Sequence, residues 1–300
     1  MDRNARWTIE HSSDKPRQTG SYRVRNEEIV KETRTVKRVY QLQPSNKRNA
    51  TIIQLSYVGD DIFYILFQGR DQSEIVKYNS RNLSKSIPVY REPRLIFGFA
   101  IDHQQQYIYL SNRYEGAVQI WTMKKRHHMP NLEIRLNQLG RFVSQLKLIN
   151  NRLLLCLETD GALILSKQDS NENARPDWKI EWNSKTEGSK IISADLLNEE
   201  VILLCDENKQ SVFMINWRDD CILRRINQLI DPIEIISFPD DETFIVCNES
   251  YRLDMYDKNG NYMKNLLIPL PYAPHRIAFN NDGNQLIFIY GKTNKMLGIF

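Results

Sequence analysis

The residues of this 300-residue chain that could do chemistry begin with four cysteines and five histidines. Cys156, Cys205 and Cys247 each end a near-continuous apolar run, in "LLLC", "ILLC" and "FIVC". A zinc site needs thiols a few residues apart or other ligands beside them. No C-x-x-C pair occurs, so these cysteines read as small apolar packing groups in separate structural layers. Cys221 stands apart from them. His127 and His128 lie in the basic stretch "KKRHHMP" with no further ligand in sequence, and read as a solvated loop. Neither G-x-S-x-G nor H-E-x-x-H is present. Asp102, Asp195 and Asn280 fall near strand ends, where short polar side chains bond their own backbone and form turns. We therefore expect no catalytic residues, no metal and no cofactor: a non-enzyme.

A second chemistry is available to cations set among aromatic rings. Lys47, Arg48, Arg70, Arg91, Arg94, Arg113, Arg252, Arg276, Lys292 and Lys295 fall in polar stretches between apolar runs, together with Tyr114, Tyr251, Tyr272 and Tyr290. Arginine and lysine neutralise phosphates and aromatic rings stack on bases, which is the chemistry of single-stranded RNA binding. Tyr and Arg are equally the anchors of protein interfaces, and this set also suits an acidic protein partner. The formal charge of the whole chain is only +4, so bulk electrostatics demands no nucleic acid. Residues 1–48 are locally basic, with 12 Lys/Arg against 6 Asp/Glu, and residues 1–35 read as a basic N-terminal extension, partly disordered or forming extra strands. No apolar run approaches the length of a membrane span, and the first residues lack the apolar core of a secretory signal. With so few cysteines, the expected setting is reducing and cytoplasmic, with no membrane partner and a monomeric molecule.

The elements that must position these residues are strands, arranged as a repeat. Six segments share one plan: "IIQLSYVGDDIFYILFQG", "IFGFAIDHQQQYIYLSN", "FVSQLKLINNRLLLCLE", "IISADLLNEEVILLCDE", "IEIISFPDDETFIVCNE" and "HRIAFNNDGNQLIFIYG". Each holds a short apolar strand, a turn rich in Asn, Asp or Gln, and a second, almost wholly apolar strand. Marker residues recur at Ser56, Ala100, Leu146, Ala194, Ser237 and Ala278, spaced 44, 46, 48, 43 and 41 apart. A third strand and a more polar fourth follow, as in "GAVQIWTM" and "NLEIRLN". A period in the low-to-mid forties with only strand signals specifies the blades of a propeller. The stretches "NSRNLSKSI" and Asn171–Pro176 read as loops.

The last unit supplies three strands, over roughly residues 276–280, 285–290 and 296–300, and no fourth. Near the other end "VKRVYQLQP", residues 36–44, is an alternating strand with no blade of its own. Pairing the two would close the ring and remove an exposed edge. The expected fold is all-β, a six-bladed β-propeller of four-stranded antiparallel blades over residues 36–300. "WTIEH" and "SYRVR" read equally as extra strands, which would make seven blades. In such a ring the second-to-third-strand loops and the blade-to-blade connections share one face. The ten cations then gather on the half made of blades five, six, one and two.

"LPYAPHRIAFNNDGNQLIFI", "FGFAIDHQQQYIYLSNRYEGAVQIW" and "RLDMYDKNGNYMKNLL" resemble the NHL repeat, with its Ile-Ala pair, its Asp/Asn and Gly turn and its hydrophobe-Asp-x-x-Gly turn. The resemblance covers about residues 36–300 and implies six blades closed by an N-terminal strand. It also implies a role drawn from RNA-binding regulators, protein-interaction platforms or, at greater distance, propeller hydrolases and lyases. The WD40 marks, a Gly-His and a Trp-Asp pair at blade ends, are absent.

Overall fold

A computed structural model describes residues 24–25, 28–29, 38–41, 50–59, 61–93, 95–112, 117–123, 132–135, 143–157, 161–168, 177–184, 189–238, 242–248, 252–266, 274–279, 286–290 and 296–299. Two short strands, β1 (Val24–Arg25) and β2 (Glu28–Ile29), pair only with each other. All other strands among the described residues fall into six four-stranded antiparallel sheets. Blade I holds β4 (Thr51–Gly59), β5 (Ile62–Gln68), β6 (Ser73–Asn79) and β7 (Asn82–Glu92). Blade II holds β8 (Ile96–Asp102), β9 (Tyr107–Asn112), β10 (Ala117–Thr122) and β11 (Leu132–Arg135). Blade III holds β12 (Val143–Ile149), β13 (Arg152–Leu157), β14 (Gly161–Gln168) and β15 (Asp177–Asn183). Blade IV holds β16 (Ile191–Leu196), β17 (Val201–Asp206), β18 (Ser211–Asn216) and β19 (Cys221–Ile226). Blade V holds β20 (Pro232–Ser237), β21 (Thr243–Asn248), β22 (Arg252–Asp257) and β23 (Tyr262–Asn265).

Blade VI is composite. β24 (Pro274–Phe279), β25 (Leu286–Tyr290) and β26 (Met296–Ile299) are completed by β3 (Arg38–Gln41), which pairs Gln41 with Met296 and Arg38 with Ile299. The inner strands β4, β8, β12, β16, β20 and β24 pack each against the next, and β24 packs back on β4. One apolar layer fills each of the six joints, including the layer of Ile52, Phe63 and Phe67 against Ala278, Ile287 and Ile289 between blades I and VI. Each large side chain buried there contributes about 1.5–3 kcal/mol relative to exposure. This two-sided cover is why the second strands are apolar at nearly every position: "IFYILFQ" is buried from Phe63 to Phe67.

The architecture agrees with the expected class, and two local readings change. The stretch "NSRNLSKSI" is not a loop: β6 turns tightly at Ser80 and Arg81, and Asn82–Glu92 is a strand of 11 residues. Asn82 and Ser86 are exposed there, as in an outer strand. The repeat markers are also out of register. Each inner strand carries a β-bulge at one level, where pairing skips Ile53, Phe97, Ser144, Ile192, Ile233 and His275. The equivalent residues just after the bulge are Gln54, Gly98, Gln145, Ser193, Glu234 and Arg276. Ser56, Ala100 and Ala278 lie two residues beyond that level, but Leu146 and Ala194 lie one beyond and Ser237 three. A bulge adds a residue without changing the apolar pattern, so matching by hydrophobicity slides past it.

Candidate interaction surface

The middle of the ring is bridged by the side chains that follow the bulges. An inner strand has no neighbour on its axial edge, so its backbone polar groups need partners from elsewhere. Gln54 Oε1 accepts from Phe99 N of the next blade at 3.0 Å, and its Nε2 donates to Phe99 O and, two blades on, to Leu146 O. Gln145 repeats this: its Oε1 accepts from Ala194 N at 3.2 Å, and its Nε2 donates to Glu234 Oε1 of blade V at 3.3 Å. Ser193 Oγ accepts from Ile235 N, and Glu234 Oε2 accepts from Ile277 N. Arg276 closes the circuit by donating from Nε to Ile53 O. Lys147 adds a second bridge, to Asp195 Oδ2 at 3.2 Å and to Ile235 O.

The electrostatics of this belt follow from its dryness. Glu234 is buried, and burial raises its carboxyl pKa, while Arg276, Lys147 and the Ile277 N–H pull it back down. The same dryness pushes the Cys156 thiol up to about 12 and the Cys205 and Cys247 thiols well above the ordinary value. These three cysteines are buried in successive inter-blade layers, as their sequence context implied, and Cys221 is exposed. Asp102 caps a turn by accepting from Gln105 N, but Asp195 does more than form a turn, since its Oδ2 also accepts from Ser237 N of blade V. Asn280, His127 and His128 lie outside the described residues. Among the described residues no group of His, Cys, Asp and Glu is arranged to hold a metal ion.

Four of the candidate face residues are described. Arg70 is exposed in the turn between β5 and β6, which Gly69 N closes on Gln72 O. Arg91 lies in β7 and its Nη2 reaches Glu74 Oε1 at 2.6 Å. Arg252 opens β22, bonds Asp254 Oδ1 at 2.9 Å and also reaches the Tyr262 hydroxyl. Both carboxylates are buried, so each arginine neutralises an acid that burial would otherwise penalise. Arg276 is a strand residue bound to backbone oxygens of Ile53 and His275. It belongs to the inner belt, not to a loop. Lys47, Arg48, Arg94, Arg113, Tyr114, Tyr251, Tyr272, Lys292 and Lys295 lie outside the described residues, as does the side chain of Tyr290.

Sequence reasoning missed the belt of Gln54, Gln145 and Glu234. The one available signal was a long polar side chain repeated inside otherwise apolar inner strands. Among the described residues no helix is long and apolar enough to cross a membrane.

Fold and belt together define a β-propeller. No family model matches this chain, and no curated protein does. Among solved structures the fold is similar to the WD40 β-propeller domain of Doa1, with a TM-score of 0.57 and 12% identity, over 87% of this chain and 96% of that one. At that identity the likeness is one of fold, shared without the Gly-His and Trp-Asp marks.

Proposed function

We propose that the chain is a non-enzymatic protein-interaction module, an NHL-like propeller that binds an acidic partner through the loop face of blades V, VI, I and II. The observation that carries this reading is the pairing of its arginines. Phosphate binding draws its affinity from cations that can neutralise the backbone and release counterions. Arg91 and Arg252 already neutralise Glu74 and Asp254, and Arg276 is spent on backbone oxygens. The exposed Arg70 and the pre-paired Arg91 and Arg252 fit a protein interface, where a few ordered arginines act as anchors. The hydrogen-bonded middle of the ring also supports a non-enzymatic reading, because it leaves the outer surfaces as the places to bind. Lys47, Arg48, Arg94, Arg113, Tyr114, Tyr251, Tyr272, Lys292 and Lys295 belong to the same proposed surface, and single-stranded RNA is the competing ligand.

Cross-linking of the full chain in cell extract, with a random-sequence single-stranded RNA titrated in parallel over a salt series, decides between them. The expected result is a set of cross-linked proteins that Arg70→Glu plus Arg113→Glu eliminates, with only weak RNA binding near physiological salt. Tight RNA binding that falls steeply with salt and is lost in the same variant would overturn the protein reading.

A further inference from the structure

Seven large apolar side chains stand exposed among the described residues, and five lie in one sector: Ile222, Leu223, Ile230, Tyr262 and Met263. Single exposed apolar residues need no explanation, but a cluster does. Two of these, Leu223 and Met263, come from a device in the outer strands. Pairing of the fourth strand with the third skips one residue at Val89, Glu181, Leu223 and Met263 in blades I, III, IV and V. Such a bulge re-aims the extra side chain. In blade I the extra residue, Val89, packs onto the core, and in blade III Glu181 pairs with Arg152 at 3.0 Å. In blades IV and V it is apolar and faces water, 53% exposed at Leu223 and 48% at Met263. Each has an exposed apolar neighbour, Ile222 at 62% and Tyr262 at 54%.

The two pairs belong to one surface. Arg224 Nη1 donates to Asn259 O at 2.9 Å and to Asn261 Oδ1 at 2.7 Å, so the middle of β19 rests on the turn that opens β23. The turn approaches so closely that a Cβ at Gly260 would lie 2.7 Å from Met214 Sδ. Leu223 and Tyr262 therefore flank a direct contact. Cations predominate here: β19 and β23 carry Arg224, Arg225 and Lys264 and no Asp or Glu, and the turns that open them hold Arg218 and Lys258 against Asp219, Asp220 and Asp257.

We propose that the rim of blades IV and V is a docking surface for an acidic, amphipathic segment of a partner protein. Its apolar side chains would cover Ile222, Leu223, Tyr262 and Met263, and its carboxylates would meet the cations of β19 and β23. A second copy of this chain fits worse, because pairing β19 edge to edge would set Arg224 and Arg225 of both copies against each other. The surface adjoins the loop face proposed above through Arg252, which reaches the Tyr262 hydroxyl, but Leu223 and Met263 belong to this surface alone, so a variant at those two positions tests it independently.

Cys221 supplies the probe. It is exposed and adjoins Ile222, whereas the other three thiols are buried. The full chain is titrated with a short amphipathic peptide of Leu, Phe and Glu, and with the same peptide carrying Lys for every Glu. Binding is followed by fluorescence anisotropy and by the rate of Cys221 alkylation. The Glu peptide is expected to bind and, at ten times its Kd, to slow alkylation about tenfold by mass action. The Lys peptide should do neither. Leu223→Glu plus Met263→Glu, at positions half in water, should keep the unfolding temperature and weaken the Glu peptide more than tenfold. Equal binding by that variant or by the Lys peptide, or no protection of Cys221, overturns the proposal. So does protection that grows with the protein's own concentration, which would make the occupant a second copy.

Discussion

Glu234 is the residue on which the inner belt turns, and its ionisation sets a testable sign. Burial raises its folded pKa above the ordinary 4.5. A carboxyl whose folded pKa is raised binds its proton more tightly in the native state than in the unfolded chain. Its contribution is therefore most favourable at low pH and declines as pH rises from about 4.5 through the folded value. The melting temperature of wild type relative to Glu234→Gln should accordingly fall as pH is raised from 4.5 toward neutrality. A difference that stays constant over that range would show that the belt offsets the burial completely. At this scale the cysteines were legible, because a thiol at the end of an apolar run has one reading. Gln54, Gln145 and Glu234 were not. Gln54 meets Phe99 and Leu146, 45 and 92 residues away, and Gln145 meets Glu234, 89 residues away.

At the scale of the element, the bulge governs what each strand presents. On the inner strands it aims Gln54, Gln145 and Glu234 at the neighbouring blade, and on two outer strands it turns Leu223 and Met263 toward solvent. Gly98 is the inner-strand exception, and its reason is close approach: a Cβ there would lie 2.9 Å from Leu146 N and 3.0 Å from Gln145 Cα. Those are backbone atoms that cannot swing aside. Gly98→Ala should therefore lower the unfolding free energy by about 1–3 kcal/mol, the range for overpacking, as measured by urea denaturation. An unchanged midpoint would mean that blades II and III part without cost. The strands themselves were legible from their apolar periodicity. Their bulges were not, because one inserted residue leaves the composition of the strand intact, and residues 82–87, the polar first half of an outer strand, looked like a loop for the same lack of an apolar signal.

At the scale of the whole molecule, closure joins residues more than 250 positions apart, β3 at Arg38–Gln41 to β26 at Met296–Ile299. Removing residues 1–41 should leave β26 as an open edge, lower the midpoint of urea unfolding sharply and promote association. Removing residues 1–35 spares β3 and should change stability by no more than about 0.5 kcal/mol. Equal stability of the two truncations would refute closure as the element that holds the ring together.

The amino-acid order by itself determined the blade, the repeat and the missing fourth strand, because these follow from hydrophobic periodicity and from the need to pair an edge. It also marked which residues are cationic. Only the tertiary structure decided what those cations do: Arg91 and Arg252 neutralise buried acids of their own blades, and Arg276 fastens the last blade to the first. A charge's role depends on which groups lie within a few ångströms of it, and in this ring those groups come from the same strand for Arg252, from another strand of the same blade for Arg91 and from the far end of the circuit for Arg276.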